Sequence, residues 1–202
     1  MATNGGTLFL NKTAGATAIS GSSIAVNSGG TLLLGAANQI ADGTAITMSG
    51  GTLNMGGFAD TVGTLTVNSA STFNFGNGVG STSTFTFSDI DLSTYAAGQS
   101  QPGLTFSGVN LGSRIVFNSL YANTGSFNTF ISKISFSDTS LNAQINFGTS
   151  GSTTTLTVAA IPEPRVYAAA AVLTMLIGYA ETETFGVRAL AEKLKPFLGD
   201  RR

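Results

Sequence analysis

Thr31-Leu32-Leu33-Leu34-Gly35, Thr52-Leu53-Asn54-Met55-Gly56 and Thr72-Phe73-Asn74-Phe75-Gly76 are one phrase written three times, at a step of about twenty residues. Gly6-Thr7-Leu8-Phe9-Leu10 is a looser, earlier copy. Ahead of each later copy stands a second strand-like phrase: Ile24-Ala25-Val26, Ala45-Ile46-Thr47-Met48 and Thr64-Leu65-Thr66-Val67. Alternation with period two places Leu65 and Val67 on one face of a strand, and Phe73 and Phe75 on one face of another. A unit this short cannot bury its apolar side alone, so its neighbours must stack on it. Stacking puts Leu34, Met55 and Phe75 in one internal row. Asn54 and Asn74 then lie above one another on the outer face, in an amide ladder kept short by Leu33 in the copy before. The glycine pairs Gly29-Gly30, Gly50-Gly51 and Gly56-Gly57 suit tight corners between the strands. Such a chain builds long, stiff surfaces more readily than enclosed catalytic pockets.

Composition narrows the function classes. Charged residues make up 9% of the 202 residues, against about 25% in an ordinary soluble domain. Gly, Ser, Thr and Asn carry the polarity instead, as in secreted surface proteins. The formal net charge is -1, which offers no electrostatic basis for binding nucleic acid or an acidic membrane. The chain has no Cys and no His. Disulfides, thiol nucleophiles, Cys/His zinc sites and a Ser-His-Asp triad are therefore excluded, and no cofactor or metal is assigned. Met1-Ala2-Thr3-Asn4-Gly5-Gly6 lacks the basic and apolar regions of a secretory signal. We therefore expect a fragment or a late start, with any export signal upstream.

Charge divides the chain in two. Residues 1–160 carry only Lys12, Asp42, Asp60, Asp89, Asp91, Arg114, Lys133 and Asp138, and most charges lie beyond. The break falls at Ile161-Pro162-Glu163-Pro164, where two prolines hold the chain extended and stop strand pairing. Residues 1–160 are predicted to form the β-repeat domain with an irregular C-terminal cap, and residues 161–202 an appended tail. Beyond residue 77 the period blurs, but strand-like runs continue at 83–87, 104–106, 114–117, 133–136, 143–147 and 153–158. Residues 93–102 read as a surface loop and residues 121–131 as a short helix. In the tail, an apolar run covers residues 166–180. As a helix it spans roughly 22 Å, short of the roughly 30 Å hydrocarbon core of a bilayer. Residues 185–198 place Leu190, Leu194 and Phe197 at helical spacing among charges, a short amphipathic helix.

Two family resemblances follow from these residues. The stretch from Leu32-Leu33-Leu34-Gly35-Ala36-Ala37-Asn38-Gln39-Ile40-Ala41-Asp42-Gly43-Thr44 to Gly50-Gly51-Thr52-Leu53-Asn54-Met55-Gly56-Gly57-Phe58 resembles the autotransporter-associated β-strand repeat. That resemblance covers roughly residues 5–76. It implies an all-β fold, a right-handed single-stranded parallel β-helix, on the bacterial exterior. Pro162-Glu163-Pro164, with Tyr167 and the apolar run behind it, is similar to the PEP-CTERM sorting signal. It implies export from a Gram-negative-type cell and processing by an exosortase, often alongside exopolysaccharide production. Glu163, held extended between Pro162 and Pro164, is the acidic residue that such a signal presents. The tail differs from the family pattern in carrying Glu181 and Glu183 where a basic cluster is usual, with Arg201 and Arg202 only at the end.

Three other patterns each admit a functional and a structural explanation. Asp89-x-Asp91 places two carboxylates on one side of a strand, with Arg114 as the basic residue nearest in sequence. Paired carboxylates can do acid–base work on acidic polysaccharides, but a solvated turn explains them as well. Gly76-Asn77-Gly78-Val79-Gly80 lacks the lysine of a phosphate loop and reads as a turn. Phe73, Phe75, Phe85 and Phe87 are core positions rather than a carbohydrate groove.

The expected function is that of an exported, non-enzymatic structural or adhesive protein of the cell surface or biofilm matrix. Its expected partners are an exosortase, and extracellular polysaccharide or neighbouring cell-surface molecules, with membrane association through residues 166–180 before processing. The alternative is a β-helix polysaccharide lyase or hydrolase. A passenger fragment of a true autotransporter is a third reading, and it requires a C-terminal membrane β-barrel.

Overall fold

The computed structural model describes residues 1–13, 16–76, 82–121, 124–138 and 143–161. Pro162, Glu163, Pro164 and the two tail helices expected at 166–180 and 185–198 lie outside the described residues. The fold is mostly β. Its strands are β1 (Ala2–Thr3), β2 (Gly6–Leu10), β3 (Ser23–Asn27), β4 (Gly30–Leu34), β5 (Ala45–Ser49), β6 (Thr52–Asn54), β7 (Asp60–Ser69) and β8 (Ser71–Asn74). They continue with β9 (Thr84–Asp91), β10 (Leu104–Ser107), β11 (Arg114–Phe117), β12 (Ile134–Phe136), β13 (Ala143–Ser150) and β14 (Thr153–Ala160). One helix, α1 (Gly125–Ser132), precedes β12.

The chain deals these strands alternately into two sheets. One runs β1-β3-β5-β7-β9-β11-β14-β13, the other β12-β10-β8-β6-β4-β2. Up to β11 in the first sheet, and throughout the second, neighbours pair in parallel. Parallel pairing keeps equivalent residues side by side. Leu8, Leu32, Leu53, Phe73, Phe106 and Phe136 form one continuous register row. Ile24, Ile46, Leu65 and Ile90 form another in the opposite sheet. The inward faces of both sheets contribute to one apolar cluster. Leu34, Met55 and Phe75 are buried in it, as are Phe73, Phe85 and Phe87.

The later half departs from the early pattern in composition and in direction. Aliphatic rows give way to interlocking rings: Phe73 lies 5.0 Å from Phe75, 5.6 Å from Phe85 and 6.0 Å from Phe106. At the end of the eight-stranded sheet the parallel rule stops. β14 runs antiparallel to β11, and β13 antiparallel to β14. The parallel pairing of the β-repeat domain thus ends in an antiparallel hairpin. The two-residue turn Gly151-Ser152 allows this, with Gly151 at a φ of 57°; a parallel return needs a far longer crossover.

Two further expectations are adjusted. The helix begins at Gly125, not Tyr121, because the Thr124 side chain accepts the Phe127 amide at 3.4 Å and caps the first turn. Its Phe127 and Phe130 are fully buried. Residues 93–102 are not a free surface loop. A 3-10 turn, Ser93–Tyr95, drives Tyr95 into the core, where its ring meets Phe130 at 5.1 Å and its hydroxyl donates to the Pro102 carbonyl at 3.0 Å.

Glycines do two separate jobs at the corners. Gly56 has a φ of 58°, and a Cβ there would lie 2.2 Å from the Leu34 carbonyl oxygen, so both conformation and space demand glycine. At Gly63 the φ is ordinary, but a Cβ would meet the Gly43 carbonyl oxygen at 2.7 Å. Gly63 is also where β7 changes phase: Asp60 and Val62 face inward before it, Leu65 and Val67 after it. That switch extends the strand back to Asp60, beyond the alternation legible at Thr64-Leu65-Thr66-Val67.

Candidate functional site

Three places in the fold carry polar groups worth testing for chemistry. The first is the sequence-predicted carboxylate pair. Asp89 and Asp91 flank the buried Ile90 and face outward beside Thr64 and Thr66 of β7. Each is already engaged. Asp91 Oδ1 accepts the Ser93 amide at 2.9 Å, and Asp89 Oδ1 accepts the Ile90 amide at 2.8 Å together with the Tyr121 hydroxyl. Tyr121 stacks on Phe127 at 5.0 Å, and its amide donates to Thr154 Oγ1 at 2.8 Å. Burial, with the Asp89 carboxylate beside it, pushes the Tyr121 phenol up to about 12. Arg114 is not brought to this pair. It aligns with Thr84, five positions before Asp89 in β9, which is about 17 Å of extended chain. The arrangement fastens the segment before α1 to β9 and leaves the carboxylates without a neighbouring cation in that register.

The second place is interior and was not foreseen. Asp60 and Gln39 are both buried. Asp60 Oδ2 accepts the amides of Gln39 at 2.8 Å and Ile40 at 3.1 Å, and Oδ1 accepts its own neighbour Thr61 at 2.8 Å. Gln39 reaches one step further. Its Oε1 accepts the Lys12 amide at 2.7 Å, and its Nε2 donates to the Ala37 carbonyl at 3.1 Å and to the Lys12 carbonyl at 3.4 Å. Burial pushes the Asp60 carboxyl above its usual range, against the pull of the Ile40, Thr61 and Gln39 amides, and the charge of Asp42 adds to the rise. Backbone groups at three successive corners are thereby satisfied without water. The signal available in the sequence was the charge itself: Asp60 is one of few, and it begins an apolar-facing run.

The third place is the outer face of the six-stranded sheet. Thr7, Thr31, Thr52, Thr72, Thr105 and Ser135 stand side by side in register across β2, β4, β6, β8, β10 and β12. Strands in such a sheet lie about 4.8 Å apart, so the column extends about 24 Å. Thr105 Oγ1 and Ser135 Oγ are 3.2 Å apart, within hydrogen-bond reach. Beside this column runs a second: Phe9, Leu33, Asn54, Asn74 and Ser107. Asn54 and Asn74 do stack, but their side chains fold back on their own strands instead of bonding one another. Asn54 Oδ1 accepts the Gly56 amide at 2.9 Å and Asn74 Oδ1 the Gly76 amide at 2.7 Å. None of the six strands carries an ionisable side chain. The three phrase threonines were visible as a repeat, whereas Thr105 and Ser135 join the column only through pairing that the sequence period no longer marks.

Among the described residues, no group of three or more His, Cys, Asp or Glu side chains comes together to hold a metal ion, and no helix is long and apolar enough to cross a membrane. No family model matches the chain, and neither a curated protein nor a solved structure matches it.

Proposed function

We propose that this chain is the β-helical part of an exported, non-enzymatic structural or adhesive protein of the bacterial surface or biofilm matrix. The observation that carries this reading is the parallel, in-register alignment of the strands bearing the Thr-Leu phrase, β4, β6 and β8. A right-handed single-stranded parallel β-helix accounts for alternate strands entering alternate sheets, each beside its predecessor. Backbone hydrogen bonds running along such an axis give stiffness without disulfides or many charges. A rod of this kind presents a large polar surface to extracellular polysaccharide or to molecules of neighbouring cells. The address comes from the resemblance of Pro162-Glu163-Pro164 to a PEP-CTERM signal, which implies an exosortase as partner and transient membrane association through residues 166–180.

Fractionation of cells producing the full-length gene product, with antibody labelling of intact cells, tests the proposal. Surface or matrix location is expected, and a wholly cytoplasmic protein would contradict it. The competing reading is a polysaccharide lyase or hydrolase, favoured by the outward pair Asp89 and Asp91 with Tyr121 against it. Turnover of an acidic glycan by the parent chain, abolished in Asp89→Ala and Asp91→Ala, would establish that reading instead.

A further inference from the structure

We infer that the threonine column on the six-stranded sheet is a docking surface for a neutral, β-linked polysaccharide chain lying across the strands, along the direction in which they stack. The inference rests on the surface role proposed above and names the face and the ligand chemistry.

Three features on this face select that occupant. The first is its charge. β2, β4, β6, β8, β10 and β12 contain no Asp, Glu, Lys or Arg, whereas the other sheet turns Asp89, Asp91 and Arg114 outward. An uncharged ligand gives up no charge hydration on leaving water for the first face, while a polyuronate would meet no cation within its six strands. The second is periodicity. Hydroxyls recur in register at every strand from Thr7 to Ser135, at about 4.8 Å. That step is close to the length of one sugar unit in an extended β-linked chain, whose successive units turn over, so every second strand meets an equivalent hydroxyl of the ligand. The third is hydrogen-bonding versatility: each Thr hydroxyl carries both a donor and acceptor sites. Threonine also presents a methyl group beside its hydroxyl, matching the mixed C–H and O–H edge of a sugar ring. Its β-branched side chain is stiff at χ1, so little rotamer freedom is lost on contact. Single hydrogen bonds at such a surface are weak, and retention grows by repetition along the column.

The test uses the full chain in pull-down on microcrystalline cellulose and on chitin, both neutral and β-linked, and on calcium-alginate beads as the acidic comparison. Retention is expected on at least one neutral polymer and not on alginate. The variant Thr52→Val/Thr72→Val/Thr105→Val keeps β-branched shape and removes three hydroxyls, and its apparent Kd should rise at least tenfold. The single variant Thr72→Lys, which places a charge mid-column, should weaken retention similarly and serves if the triple variant does not fold by circular dichroism. Thr47→Val/Thr66→Val on the other sheet should leave retention unchanged. The inference is overturned if neither neutral polymer retains the chain, if column variants bind as the parent does, or if the other-sheet variant loses as much. Arrest of ice growth by the parent without polysaccharide retention would assign the column to ordered water and overturn it too. Failure of these assays in a protein that does reach the cell surface leaves the surface proposal intact. A cytoplasmic protein removes both.

Discussion

The early and late halves of this molecule solve the same packing problem with different side chains. From β3 to β7 the inward rows are aliphatic: Ile24, Val26, Leu32, Leu34, Ile46, Met48, Leu53, Leu65 and Val67. From β8 onward rings predominate: Phe73, Phe75, Phe85, Phe87, Phe106, Phe117, Phe127 and Phe130, with Tyr95, among the aliphatic Ile90, Leu104, Ile115, Leu156 and Val158. Aliphatic rows stack like on like, so the spacing of the strands is copied into the sequence. Rings pack edge to face across both sheets, as Phe73 does with Phe85 at 5.6 Å and an interplanar angle of 80°. A ring that fills two positions relaxes the demand for a strict repeat. The comparison teaches that period marks like-on-like stacking, and that its fading does not mark the end of the sheet.

The sharpest way to break this comparison is to truncate one member of each kind in the same row. Leu53 and Phe73 are register partners, both fully buried. Phe73→Ala should cost about 4 kcal/mol and Leu53→Ala about 3 kcal/mol in denaturant unfolding. Phe73 costs more because its ring also meets Phe75, Phe85, Phe87 and Phe106. Equal costs would remove the distinction between the two cores.

Corner chemistry sharpens the contrast at a smaller scale. Asp60→Ala leaves the Gln39, Ile40 and Thr61 amides without their acceptor, and should destabilise by about 2 kcal/mol. Gly56→Ala forces a left-handed residue against the Leu34 carbonyl, and should cost at least about 1–2 kcal/mol. Both effects are readable as shifts in the midpoint of chemical unfolding.

In the late half, Tyr121→Phe should cost about 1 kcal/mol by removing the hydroxyl that donates to Asp89. The phenol provides a second readout. Its folded value, near 12 against a usual 10.0, means that its contribution is complete below pH 10 and is lost as pH rises through 12. The Tyr121 contribution to phenolate absorbance should therefore come late in the parent, and Tyr121→Phe should remove that step near pH 12. A normal titration of Tyr121 would show that the segment before α1 is not fastened to β9.

What was legible in the sequence follows from the same physics. Leu34, Met55 and Phe75, and the stacked Asn54 and Asn74, were readable because each copy of the phrase repeats its inward and outward positions. The strands β9 to β14 were readable as elements through local alternation. Their partners were not, because the choice between a parallel return and an antiparallel hairpin depends on the turn at Gly151 and on what α1 covers. Asp60 and Gln39 escaped notice for another reason. A buried carboxylate is recognisable only when the amides that satisfy it are in place, and two of them, those of Gln39 and Ile40, lie 21 and 20 residues earlier in sequence. Thr105 and Ser135 belong to the outer column through register alone, since a 3-10 turn and a helix intervene in the chain.

The central claim is that the strands carrying the repeated phrase lie side by side in register. The chain has no native Cys, so paired thiols can be introduced cleanly. Thr52→Cys with Thr72→Cys places them on adjacent strands, about 4.8 Å apart. Thr52→Cys with Thr105→Cys places them two strands apart, about 9.6 Å. A short bifunctional thiol cross-linker should join the first pair within one chain and leave the second unjoined. Failure of the first pair to join, or joining of both to the same extent, would contradict the account.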